Sequence, residues 1–192
     1  MPSTDADPIL LCESQQAWED WLERHHDTSA GVWLKIGKKG APSPTVTYPE
    51  AIESALIYGW IDGQKGAVDG HFYRQRFCRR TPRSKWSQIN VEKATALIDS
   101  GRMKPSGLEQ VDRAKQDGRW DNAYEPPSRA VVPEDLQREL DRNPDAKAFF
   151  ETLTGANRYA ILFRIKDAKR PETRAKRIAQ SVQMLGERRT FY

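Results

Sequence analysis

Cysteine is nearly absent: two residues in 192, Cys12 and Cys78, far apart and at no metal-ligand or redox spacing. Free thiols in a reducing compartment are the ordinary reading of such a pair. Histidine is equally scarce. His25, His26 and His71 have no carboxylate or cysteine at ligand spacing, so neither a metal site nor a cofactor is expected. No apolar run approaches the roughly 18 residues of a membrane-spanning helix. The opening MPSTDADPILL lacks a basic segment followed by an apolar one, so no secretory signal is read and the cytoplasm is the expected location. HExxH, a phosphate-cradling glycine-rich loop, G-x-S-x-G and zinc-finger spacings are all missing. No motif therefore points to an enzyme, and no internal repeat or low-complexity tract is present.

One further absence is local and positive in its consequence. From His71 to Asn90 there is no acidic residue, while Arg74, Arg76, Arg79, Arg80, Arg83 and Lys85 are all present. A second basic island, Arg164–Arg177, holds seven cations against Asp167 and Glu172. The net charge is +4, so the rest of the chain is acidic. Two basic islands on an acidic body imply a localised site rather than general affinity for polyanions.

The chain length suits one domain or a little more, with enough residues for a core. Residues 1–8 read as a disordered lead-in. Residues 9–120 read as an α+β domain, 121–132 as an irregular connection containing Pro126-Pro127, and 133–192 as an all-helical domain. Ser14 caps a helix to about His25, with Trp18, Trp21 and Leu22 on one face. Val32, Leu34 and Ile36 alternate as a strand. Thr47-Tyr48-Pro49-Glu50 is a capping box opening a helix that Gly59 stops. Trp60–Gln64 reads as a short strand entering a turn, and a second strand covers about His71–Cys78. Two helices follow, stopped by Gly101 and Gly118. Pro133, Pro144 and Pro171 each begin a helix. The last runs to Gly186, with Ala175, Ile178, Ala179, Val182 and Leu185 as its buried stripe.

The basic strand has two faces. Arg74 and Arg76 share one with Phe72 and Cys78; Tyr73, Gln75 and Phe77 share the other, which suits the core. Ser84 and Ser87 are both possible helix N-caps, and arginines beside a helix N-terminus make an anion site. Trp86 offers a face for a planar group. At the second island Lys169, Arg170, Thr173, Arg174 and Arg177 cluster where a helix begins, and cations there oppose the helix dipole. The bland reading of both islands is solvated charge or pairing with the acidic body. Asp62, in Gly-Trp-Ile-Asp-Gly-Gln, is ordinary turn chemistry; the sharper reading makes it an acid or base facing the arginines.

Tyr48-Pro49-Glu50-Ala51, Ala55–Gly63, Arg76-Phe77, Arg83–Asn90, Gly101-Arg102-Met103, Asp117–Trp120 and Ala168–Arg174 together resemble the YdeI/OmpD-associated family. The resemblance spans nearly the whole chain after about Trp18. It implies a bacterial protein and a label of bacteriocin protection or stress response, without an established biochemical activity. One departure is Cys78-Arg79 where the family pattern has Thr-Pro, which here comes later as Thr81-Pro82.

The expectation is thus an α+β protein that binds a small phosphate- or carboxylate-bearing ligand in a cationic, Trp-lined cleft between its halves. Trp60, Asp62, Arg74, Arg76, Arg83, Ser84, Trp86 and Ser87 would line one side; Lys169, Arg170, Thr173, Arg174 and Arg177 would line the other. The alternatives are single-stranded nucleic-acid binding, which a basic strand and helix with aromatics would suit, and an enzyme using Asp62.

Overall fold

The computed structural model of the chain describes residues 7–153 and 155–192. They form two units, one ending at Ala123 and one beginning at Tyr124. The expected disordered lead-in lies mostly outside the described residues. Its last two residues are tied to the sheet: Asp7 pairs with Arg76, and the Pro8 carbonyl accepts a hydrogen bond from the Trp33 amide at 2.9 Å.

The N-terminal unit is built on a mixed four-stranded sheet. Its strands are β1 (Ile9–Leu10), β2 (Gly31–Gly37), β3 (Trp60–Ala67) and β4 (Phe72–Arg79), in the order β1-β2-β4-β3. β1 is parallel to β2; the other pairings are antiparallel. The expected turn after Asp62 is instead strand, because β3 absorbs a bulge between Asp62 and Lys65 and continues to Ala67.

Helices α1 (Gln15–His25) and α2 (Tyr48–Ile57) pack with one face of this sheet. Each begins where its cap dictates. Ser14 Oγ accepts from the Ala17 amide, and Thr47 and Glu50 complete a reciprocal capping box. Trp18 and Leu22 of α1, the apolar face of α2, Val32, Leu34 and Ile36 of β2, Trp60 and Phe77 form the core. Trp18 is wholly buried, so its indole N–H needs a partner and finds the Ala51 carbonyl at 3.1 Å. α3 (Gln88–Asp99) and α4 (Pro105–Gln116) add Ala94, Leu97, Val111 and Ala114.

The C-terminal unit is helical: a 3-10 turn at Pro127–Arg129, then α5 (Glu134–Asp141), α6 (Pro144–Thr152), α7 (Gly155–Lys166) and α8 (Pro171–Gly186). Its separate core joins Leu136 and Leu140, Ala146 and Phe150, Ile161, Leu162 and Ile165, and Ile178, Val182 and Leu185. The stripe of α8 departs from expectation at three positions. Ala175 and Ala179 are exposed and Ser181 is buried, its hydroxyl donating to the Arg177 carbonyl at 2.8 Å. A hydroxyl that bonds back along its own helix can be buried cheaply, which hydropathy alone does not reveal.

Candidate functional site

Strand alternation sorts the basic residues of β4. Phe77 is buried in the helix-covered core, so Arg74 and Arg76 face the other way. Register with β2 places Lys35 opposite Arg74 and Trp33 opposite Arg76. On this second face the cations lie over rings: the Arg74 guanidinium is 4.3 Å from the Trp33 ring centre, and Lys35 Nζ is 4.1 Å from that of Phe72. Arg76 instead meets Asp7, with Nε and Nη2 each 2.7 Å from Oδ2.

Asp62 is paired with Phe77 and so shares its face, turned away from Arg74 and Arg76. Its Oδ2 accepts a hydrogen bond from the Tyr48 hydroxyl at 2.8 Å. The arrangement of Asp62 facing those two arginines is therefore corrected by strand register. Trp60 is a core residue with no exposed surface, and its indole N–H donates to the His26 carbonyl at 3.0 Å. Trp86 is only 2% exposed. The stacking face expected of it is taken by Arg80, whose guanidinium sits 3.6 Å from the ring centre, and Trp120 packs edge-on at 4.9 Å.

Ser84 and Ser87 separate into different roles. Ser87 caps α3, accepting from the Asn90 amide at 3.2 Å. Ser84 closes the preceding turn, its hydroxyl accepting from the Thr81 amide at 2.9 Å. Arg119, which lies in the Asp117–Trp120 motif but carries no sequence-assigned role there, braces this turn by donating to the Ser84 carbonyl at 2.8 Å. Arg83 is exposed on the same turn.

In the C-terminal unit, Lys169 and Arg170 are exposed and Thr173 is half-buried. Arg174 grips Asp135 with two hydrogen bonds, Nε to Oδ2 at 2.6 Å and Nη2 to Oδ1 at 2.9 Å, and gives a third to the Ile165 carbonyl at 3.0 Å. Those bonds hold the Asp135 carboxyl below the usual carboxylate range. Arg177 donates to the Arg164 carbonyl and lies 3.8 Å from Asp167. Arg174 and Arg177 are thus brought together within one unit, as are Arg74 and Arg76 within the other.

Arg174 also lines a cavity of about 250 Å³. Tyr124, Tyr159, Leu162 and Phe163 supply ring and apolar lining, and its charged lining is Arg129, Lys166 and Arg174 with one acidic residue, Glu125. Phe163 orders the rings, meeting Tyr124 edge-on at 5.3 Å and Tyr159 at 5.7 Å. The Tyr159 hydroxyl donates to the Glu125 carbonyl at 2.8 Å, and burial raises its pKa. All six tryptophans precede Tyr124, so the ring surface here is tyrosine and phenylalanine rather than the expected tryptophan. Sequence periodicity did not mark Tyr124, Arg129, Tyr159 or Lys166, because they converge only through tertiary packing.

Comparison with known families gives two matches. Residues 10–110 match a domain of unknown function, DUF8412, and residues 129–188 match the family described as bacteriocin-protection, YdeI or OmpD-associated. The chain is a DUF8412 member with a YdeI/OmpD-associated C-terminal segment. The second match is shorter than the resemblance: all the motifs between Tyr48 and Met103 fall under DUF8412 and Asp117–Trp120 falls under neither match, while Ala168–Arg174 and the cavity residues from Arg129 onward fall in the YdeI/OmpD-associated segment. No curated protein and no solved structure matches the chain. Among the described residues no helix is long and apolar enough to cross a membrane, and no group of three or more His, Cys, Asp or Glu could hold a metal ion.

Proposed function

We propose that the chain is a cytoplasmic protein that binds a small anionic ligand in the cavity of its YdeI/OmpD-associated segment, and that this binding serves the bacteriocin-protection role the family label names, or a stress response. The observation that carries the proposal is the cavity's two-sided chemistry. Ring surface from Tyr124, Tyr159 and Phe163 accompanies three cations, Arg129, Lys166 and Arg174. A compact apolar or planar body with one carboxylate or phosphate satisfies both. The bonds of Arg174 to Asp135 and Ile165 use three of the five N–H groups of a guanidinium. Arg174 thus approaches a ligand already oriented by Asp135. Free cysteines at positions 12 and 78 suit a reducing compartment.

The nucleic-acid alternative has less support, because the Trp33 and Phe72 faces that bases would need lie under Arg74 and Lys35. The Asp62 enzyme has less as well, given the side of the sheet Asp62 occupies.

Benzoate, phenyl phosphate and neutral benzyl alcohol test the proposal by thermal shift at constant ionic strength. Saturable stabilisation by at least one of the anions and none by the alcohol is expected. The double variant Arg129→Gln/Lys166→Gln, checked for wild-type helicity, should bind at least ten times more weakly, about 1.4 kcal/mol. Equal affinity in variant and wild type, or no saturable binding by either anion, overturns it.

A further inference from the structure

The C-terminal unit holds a second cavity, of about 270 Å³, walled by three segments. α7 supplies Arg164. α8 supplies Arg177, Gln180, Ser181 and Met184, which at spacings of three and four share one face of the helix. The segment after α8 supplies Glu187, Arg189 and Phe191. That segment reaches the cavity because the chain turns back beyond Gly186, with Arg188 at φ 54°. The turn lays the Phe191 ring centre 4.6 Å from the Arg164 guanidinium, and the Tyr192 amide donates to Asn157 Oδ1 at 3.1 Å.

The polar groups of this wall are oriented by neighbours and keep donors for a ligand. A guanidinium over a ring makes that contact through its face, so its in-plane N–H groups stay at the edge, where they can take two oxygens of one oxyanion. Arg164 is held this way by Phe191. Arg177 gives one N–H to the Arg164 carbonyl and lies 3.8 Å from Asp167. Glu187, the one carboxylate in the lining, is engaged at both oxygens, by Arg189 at 2.8 Å and by Gln183 at 3.2 Å. Arg189 is thus matched from within, and Arg164 is the cation whose contact in the cavity is a ring. Gln180 and Gln183 add side-chain amides, which both donate and accept, as sugar hydroxyls require. Phe191 is the single ring in the lining, against the three of the cavity around Arg174.

We propose that this cavity binds a small phosphorylated sugar, with the phosphate on the edge of Arg164 beside Arg177 and the hydroxyls on Gln180 and Gln183. Its volume lies below the roughly 300–1,000 Å³ of sites for drug-sized ligands, which limits the occupant to one small molecule. Arg164, Gln180 and Gln183 are exposed, so the ligand enters directly from solvent. The site does not rest on the aromatic cavity, and either can fail without the other.

The test is a titration of the full ¹⁵N-labelled chain with glucose 6-phosphate, inorganic phosphate and glucose at matched ionic strength. The Arg164 Nε–H and the Gln180 and Gln183 side-chain amides report the site. Saturable shifts are expected with glucose 6-phosphate, weaker binding with inorganic phosphate and none with glucose. Arg164→Gln, with native amide dispersion, should bind glucose 6-phosphate about ten-fold or more weakly, and Gln180→Ala about five-fold more weakly with its inorganic phosphate affinity unchanged. Arg129→Gln/Lys166→Gln should bind it as wild type does. The wild-type titration needs no variant: no saturation of these signals by glucose 6-phosphate overturns the site. Inorganic phosphate binding as tightly as glucose 6-phosphate overturns the sugar contacts. Unchanged affinity in Arg164→Gln, or loss of binding in Arg129→Gln/Lys166→Gln, overturns the placement of the ligand in this cavity.

Discussion

Arg174 and Asp135, 39 positions apart, are joined by two hydrogen bonds that tie the N-terminus of α8 to the first turn of α5. The cations at the start of α8 oppose its dipole, and Asp135 supplies the opposing charge that the sequence left unplaced. Both side chains are about one-third exposed, so screening limits the pair to about 1–2 kcal/mol.

The pH dependence follows from the sign of the Asp135 shift. The folded protein binds the Asp135 proton less readily than the unfolded chain does. The stabilisation is therefore present above the unfolded carboxyl value, near 3.9, and is lost as pH falls through the lower folded value. Asp135→Asn should flatten the wild-type fall in stability below about pH 4. Urea melts of both proteins at pH 3 and pH 7 check it: their difference should be larger at pH 7.

Arg188 is the one described non-glycine residue with positive φ, at 54°. α8 ends at Gly186, and the chain beyond it closes in a paired 6→1 and 5→2 pattern, Arg189 amide to Met184 carbonyl and Arg188 amide to Leu185 carbonyl. Arg188 occupies the position where glycine is normally found. Arg188→Gly should stabilise the protein by about 0.5–1 kcal/mol, read as a higher urea midpoint at unchanged slope.

Gly107 is where α4 passes closest to the end of α2. A Cβ there would collide with the Ile57 carbonyl oxygen and Met103 Sδ. Met103 can shift, but the backbone of α2 cannot without disturbing the core. Gly107→Ala should cost about 2–3 kcal/mol despite alanine's better helix propensity, whereas Gly186→Ala, with open space around it, should be neutral or stabilising. Thermal unfolding of the two variants separates packing from propensity.

The cysteines should differ in reactivity. Cys12 is 5% exposed, and burial pushes its thiol up to about 11, whereas Cys78 is half-buried. A thiol-specific disulfide reagent at pH 8 should label Cys78 in the native protein and reach Cys12 only when the chain opens. Equal labelling rates without denaturant would contradict the core placement of Cys12.

The local features were legible because their causes are local. Ser14, the Thr47–Glu50 box and the glycines at 59, 101 and 118, all with positive φ, set helix ends through bonds spanning a few residues. Period-two alternation likewise placed Arg74 and Arg76 together and away from Phe77. It did not show that Asp62 shares the Phe77 face, since that depends on the register between β3 and β4.

The partners of the charges were not legible. Asp7 reaches Arg76 across 69 positions and Asp135 reaches Arg174 across 39. Either carboxylate looks like ordinary surface charge when read along the chain. The same holds for Trp86, whose face is filled by Arg80 only once the turn at Thr81–Ser84 has folded back.

The sequence by itself determined an α+β chain with a helical C-terminal part, the caps that bound its helices, and two concentrations of positive charge. These rest on propensity, periodicity and composition, which act over a turn or a strand. Only the tertiary structure decided which cations are held by carboxylates, which lie over rings, and which surround a cavity. Those outcomes depend on distances between segments far apart in the chain, and no local rule fixes them.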